Sequence, residues 1–253
     1  MARRSGALST IRRRLWAHGA KPILRPLWHG VRAGYAKLRP WLPANVRERR
    51  AADMAARDRA RRSQPEPPIR PLRHDEIVRL AASASYYRDR VGYLDAAANA
   101  AADLIARHQL TSALELGPNL RPLIVGADIM DIADRPALQA TGRRIIQDAT
   151  AAPWPAADRS YDLFVALQVF EHLGSGQAAA FAEVRRVARH AIVSLPIDWE
   201  MDDPRNCHHH LSREKVLGWF APVAPTRIIV GNGGRRTRLI FVFEDLPPVQ
   251  LEA

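Results

Sequence analysis

The sequence predicts an open α/β fold. Its sheet is mostly parallel, with an antiparallel C-terminal edge strand, and helices precede it. Three observations carry this reading. Short apolar runs recur between residues 112 and 244, separated by helical patterns or longer connections, as in strands joined by crossovers. The last two runs are joined only through "NGGRR" and its neighbours, which suggests a hairpin. Ahead of them, residues 75–108 carry helical periodicity.

Residues 1–73 form a basic arm and a proline-rich linker, and residues 74–253 the main domain, split into a helical cap (74–110) and a sheet core (111–253). The net charge of +12 is uneven: residues 1–73 hold 19 basic and 4 acidic side chains, and the remainder 19 and 22. Basicity therefore belongs to the arm. In residues 1–62, Leu8, Ile11 and Leu15, then Leu24, Leu27 and Val31, fall at helical spacing, with Trp16, Trp28 and Trp41 interleaved. Pro22, Pro26, Pro40 and Pro43 interrupt any long helix. The arm reads first as a solvated, partly disordered tail, next as a segment lying on an anionic membrane surface, and last as a nucleic-acid binder, for which no motif is visible. "SQPEPPIRPL" (63–72) reads as a linker.

Two helices are expected across 75–108, breaking near Gly92. Strands follow at "SALELG" (112–117), "IVGADIM" (124–130), "RIIQDA" (144–149), "YDLFVALQVF" (161–170) and "AIVSLP" (191–196). A helix at 178–189 separates the last two, and "TRIIVG" (226–231) and "RLIFVFE" (238–244) close the chain. With 47% hydrophobic residues a substantial core is attainable. Cys207 is the only cysteine, so no internal disulfide forms. No apolar run reaches spanning length, and none of signal-peptide length follows Arg3 and Arg4 before Arg12. A cytoplasmic location is the expectation, with peripheral contact at the inner membrane face through the arm as an option.

Open parallel sheets bind ligands beyond the carboxyl ends of their strands. The residues there are Glu115, Leu116 and Gly117, then Asp128, then Asp148 and Ala149, then Gln168 to His172. Carboxylates at three such positions suit a ligand with a ribose diol, an exocyclic amine and a cationic group.

In these motifs residues 112–244 resemble the class I S-adenosylmethionine-dependent methyltransferases, Rossmann-like enzymes of the type 11 domain kind. "ALELGPN" is similar to the family's first motif. The resemblance implies that Gly117, Pro118 and Asn119 approach the methionine part of the cofactor while Glu115 orders their loop. "VGAD" is similar to the second strand, giving Asp128 the ribose hydroxyls, with Asp131 a competitor for that role. "IIQDATAAPWPAADRSYDLFVALQVFEHL" is the strongest likeness. It gives Asp148 the adenine amine, the Ala149 amide the ring, and Gln168 a place beside the cofactor. Asp162 reads as structural. His172 is a candidate general base, titrating near neutrality.

The sequence departs from the pattern where asparagine stands for the second glycine of the first motif. Pro118 and Pro122, with 13 residues from Glu115 to Asp128, oppose a crossover helix. A compact loop is expected instead.

"NCHHHLSREKV" (206–216) resembles the family's loop after the fifth strand, with Ser212 capping a helix. Asp198, Trp199, His208, His209 and His210 are therefore candidate acceptor contacts. Adjacent residues do not all face one ion, and no second ligand cluster of matching spacing is visible, so no metal is expected. The function implied is methyl transfer from S-adenosylmethionine to an acceptor held under the 75–108 helices and the 196–212 loop. The alternative is a degenerate fold acting as a scaffold targeted by its arm. A nicotinamide dehydrogenase is disfavoured, because no G-x-G-x-x-G follows the first strand.

Overall fold

The structure, a computed structural model, describes residues 68–199, 207–208, 211–231 and 238–249. The basic arm, His209 and His210 lie outside these residues. Strand β1 (Arg70–Pro71) leads into helix α1 (His74–Ser83), a 3-10 segment (Ser85–Arg90) and helix α2 (Val91–His108). Strands β2 (Ala113–Leu116), β3 (Ile124–Val125), β4 (Asp128–Asp131), β5 (Arg144–Ile146) and β6 (Tyr161–Leu167) follow. Helix α3 (Gln177–Val187), β7 (Ala188–Pro196), α4 (Arg213–Phe220), β8 (Arg227–Gly231) and β9 (Arg238–Phe243) complete the order.

Seven strands form one sheet in the order β5-β4-β2-β6-β7-β9-β8. The five from β5 to β7 are parallel, and β9 runs antiparallel to both β7 and β8. The expected hairpin is present, but its second strand inserts beside β7, so β8 is the edge and the antiparallel strand lies one place in. The alternation of side chains explains why β6 and β7 read as continuous apolar runs. Phe164, Ala166, Ala191 and Val193 face the side covered by α3 and α4, together with Phe181 and Phe220. Leu163, Val165 and Ile192 face the opposite side, with Tyr93 and Leu104 of α2.

The connection from β2 to β4 is the unusual part. Parallel neighbours need a crossover of about a dozen residues, usually a helix. Here the chain turns at Gly117 (φ +60), returns through β3 and enters β4 without a helix. The space is filled from upstream: β1 pairs antiparallel with β3, Arg70 opposite Val125 and Pro71 opposite Ile124. Ile69 and Leu72 are buried with Leu123, Ile124 and Ile77. Residues 68–72, expected to belong to a linker, are thus part of the folded domain.

Two side chains and a glycine fix this arrangement. The Glu76 carboxylate, at the start of α1, accepts hydrogen bonds from Arg70 Nη1 (2.8 Å), Arg70 Nη2 (3.1 Å) and the Arg73 amide (2.8 Å). Burial alone would raise its pKa, but these bonds and the nearby Arg121 charge hold it down to about 2. The buried Tyr87 hydroxyl accepts from the Leu120 and Arg121 amides at 3.0 and 3.3 Å. That bond pins the 3-10 segment, so the helical break falls at Ala84–Arg90 rather than at Gly92, which lies inside the first turn of α2. Gly126 (φ +88) splits the run read as one strand into β3 and β4, because a Cβ there would stand 2.1 Å from the Pro68 carbonyl oxygen.

Candidate active site

A cleft of about 660 Å³ opens at the carboxyl ends of β2, β4, β5 and β6. Its lining includes Gly117, Asn119, Asp131, Asp148, Ala149, Gln168 and His172. The structure therefore brings most of the expected cofactor residues to one place. Pro118 and Glu115 line a smaller adjoining recess with Tyr86 and Tyr87.

Glu115 lies beneath the cleft, 2% exposed. Its two oxygens accept hydrogen bonds from the Leu123 and Ile124 amides at 2.8 and 3.0 Å. The carboxylate thus holds the returning end of the first loop. Burial pushes its pKa up to about 7 even against those two bonds.

Asp128 departs from expectation. Splitting the second strand puts it at the start of β4, away from the cleft lining. Its carboxylate accepts from the Arg143 amide and the Tyr161 hydroxyl, both at 2.8 Å, and lies 3.4 Å from Arg143 Nε. This is a cross-strand brace at the amino-terminal edge of the sheet. Asp131, its competitor in the sequence, ends β4 on the cleft and is 5% exposed. Its Oδ1 accepts from the Ala133 amide at 3.4 Å. Oδ2 lies 3.0 Å from Arg135 Nε but makes no hydrogen bond.

Asp148 is exposed on the cleft, and its Oδ1 accepts from the Thr150 amide and hydroxyl, both at 2.8 Å, which lowers its pKa. Ala149 is held from behind: Trp154 Nε1 donates to its carbonyl at 3.1 Å, and the buried indole stacks on Phe164. This is the physical content of the "PWP" stretch at 153–155. Asp162 is structural, as read from the sequence: its Oδ2 accepts from the amides and hydroxyls of both Thr111 and Ser112.

Gln168 adopts φ +60 at the end of β6, and its Oε1 accepts from Arg238 Nε at 2.8 Å while Nε2 makes no hydrogen bond. Arg238 is 3% exposed, and its guanidinium lies 4.9 Å from the Trp199 ring centre. Sequence reasoning missed this residue, because an arginine opening an apolar strand carries no signal of burial. Trp199 in turn packs on His208, ring centres 5.1 Å apart. Asp198 is exposed at φ +54, its amide donating to the Leu211 carbonyl at 3.1 Å. Glu171, beside His172, is 4% exposed, and neither carboxylate oxygen makes a hydrogen bond. Burial raises its pKa to about 8. His172 is shifted down by partial burial.

Residues 109–191 match a family model described as a methyltransferase domain. No curated protein sequence matches. Several solved structures are similar. The N-methyltransferase NodS from Bradyrhizobium japonicum WM9, in complex with S-adenosyl-L-homocysteine, shares 14% identity over 68% of this chain and 97% of its own, with a TM-score of 0.45. The 16S rRNA methylase RmtB shares 17% over 68% and 69%, with a TM-score of 0.42. A SAM-dependent methyltransferase from Aquifex aeolicus shares 12% over 52% and 81%, with a TM-score of 0.38. The matched segment spans β2 to the start of β7, the strands whose ends meet at the cleft, so this part of the chain is similar to a methyltransferase domain.

Proposed function

We propose that the domain binds S-adenosylmethionine across the ends of β2, β4 and β5 and directs its methyl group toward an acceptor beside Trp199 and His208. The observation that carries this reading is Asp131: a buried carboxylate on the cleft with one oxygen lacking a hydrogen bond. That oxygen is ion-paired to Arg135 at 3.0 Å without an aligned hydrogen bond, and a ribose diol offers aligned donors. Gly117 turns the backbone toward the methionine end, and no larger residue fits easily, since a Cβ there would stand 3.0 Å from Val169 Cγ2. Asp148 and the Ala149 amide face the adenine end.

When bound, the cofactor supplies a methyl group made electrophilic by its sulfonium. The chain has to align the acceptor in line with the departing sulfur and exclude water. Trp199 packs on the Arg238 guanidinium, and Arg238 fixes Gln168, which lines the cleft.

Calorimetry of S-adenosyl-L-homocysteine binding tests this. Asp131→Asn is expected to weaken binding about 10- to 100-fold, the value of losing charge-assisted hydrogen bonds. Asp128→Asn should leave affinity within about twofold while lowering the unfolding midpoint. Equal affinities in wild type and Asp131→Asn would overturn the assignment. No binding by the full chain at all would return the scaffold reading.

A further inference from the structure

Between β6 and α3 the chain makes a short 3-10 turn, Phe170–His172, and after β7 it comes back to that turn at Cys207 and His208. Three ligand-bearing side chains meet there: candidate ligand atoms of His172, Cys207 and His208 all lie within 4.8 Å of one another. Cys207 Sγ is 3.3 Å from His172 Nδ1. Tetrahedral donors at zinc bond lengths of about 2.0–2.3 Å stand roughly 3.3–3.6 Å apart, so the pair already has the required spacing. The sequence hid this cluster because His172 lies far along the chain from the histidine run.

A second observation points to a cation. Glu171 is buried and neither of its oxygens accepts a hydrogen bond; His208 Nε2 is 3.8 Å from Oε1. A histidine that presents one nitrogen to a metal and the other to a carboxylate is the usual outer arrangement of a zinc site. A Cys207 thiolate and a Glu171 carboxylate together match two positive charges. In the other histidine pair, His190 Nδ1 accepts from the Asp245 amide at 3.2 Å and His108 Nε2 lies 3.2 Å from Glu244.

We propose that His172, Cys207 and His208 ligate one zinc-class divalent ion, with Glu171 orienting His208 and the fourth coordination position open to the cleft that His172 lines. Given the methyl-transfer reading above, the open position takes the acceptor. A ligated hydroxyl releases its proton to solvent near neutral pH. Its oxygen then attacks the methyl carbon, the O–C bond forming as the S–C bond breaks and sulfur leaves as a neutral thioether.

The ion is tested without the cofactor. Untagged full-length protein is titrated with Co²⁺ and followed by absorbance, then competed with Zn²⁺. One equivalent should bind, with a thiolate-to-cobalt charge-transfer band displaced by zinc. The band should vanish in Cys207→Ser, weaken at least tenfold in affinity in His172→Asn and Glu171→Gln, and persist in the double variant His209→Ala/His210→Ala. No charge-transfer band, a band unchanged in Cys207→Ser, or one lost in the double variant would overturn the site. S-adenosyl-L-homocysteine calorimetry on metal-free protein separates this outcome from failure of the methyl-transfer reading, since it reports the cofactor half alone.

Discussion

Asp128 and Asp131 are three positions apart on one short strand and do opposite work. One ties the Arg143 amide to the Tyr161 hydroxyl, and the other faces the cleft. The sequence showed that an acid ends the second strand but not where that strand begins, because the apolar run continues through Gly126 without a polar break. Glu115, Gly117 and Asp148 stood out in the sequence for a physical reason: each falls where an apolar run meets its end, whereas Ala149 was singled out only through the resemblance. Arg238 and the pairing of His172 with Cys207 were not, since both depend on contacts distant in sequence. Glu115 also sets a pH dependence. Its folded pKa near 7 lies above the ordinary 4.5, so the native state keeps a proton that the unfolded chain releases. Its stabilisation is complete below about pH 4.5 and is lost as pH rises toward 7, by at most about 1.4 kcal/mol per pH unit. Glu76, held near 2, is ionised in the fold throughout, and above about pH 5.5 it is mostly ionised in the unfolded chain as well, so there it does not oppose the trend. Urea midpoints of wild type and Glu115→Gln measured between pH 5 and 8 should diverge in slope. Parallel curves would show that Glu115 is already ionised in the fold.

Among the elements, the parallel strands and the final hairpin were readable because their period and flanking breaks are local properties. The missing crossover helix was readable too, from Pro118 and Pro122. What replaces it was not, because β1 is two residues long and sits in a proline-rich stretch that resembles a tether. Its docking depends on one backbone approach. Gly126→Ala would combine a left-handed φ with a Cβ 2.1 Å from the Pro68 carbonyl oxygen. A cost of about 2–4 kcal/mol is expected from strain and overpacking together. Chemical denaturation should show it as a lowered midpoint with little change in slope. Hydrogen exchange should show faster exchange at the Leu72 amide, which donates to the Leu123 carbonyl at 2.7 Å. An unchanged midpoint would mean that β1 is not integral to the domain.

At the scale of the whole molecule, charge is segregated along the chain. The 19 basic residues before position 74 face only 4 acidic ones, while the remainder is slightly acidic. Among the described residues no helix is long and apolar enough to cross a membrane. We propose that the arm meets anionic membranes by surface attraction, which should behave electrostatically. In flotation with vesicles rich in phosphatidylserine, the full chain should rise with the lipid at low salt, and a chain lacking residues 1–62 should stay behind. Several-fold loss is expected as ionic strength rises past physiological values. Equal flotation with purely zwitterionic vesicles would remove the electrostatic explanation.

The β1–β3 pairing has a further effect on how the protein is made. Arg70 leaves the ribosome well before Val125, the residue it pairs with. At roughly 5–20 residues per second, Ile69 and Leu72 wait on the order of seconds in water before their partners emerge. During that interval the greasy stretch ahead of α1 is open to chaperones or to a neighbouring nascent chain, and translation slowed across that span lengthens the exposure.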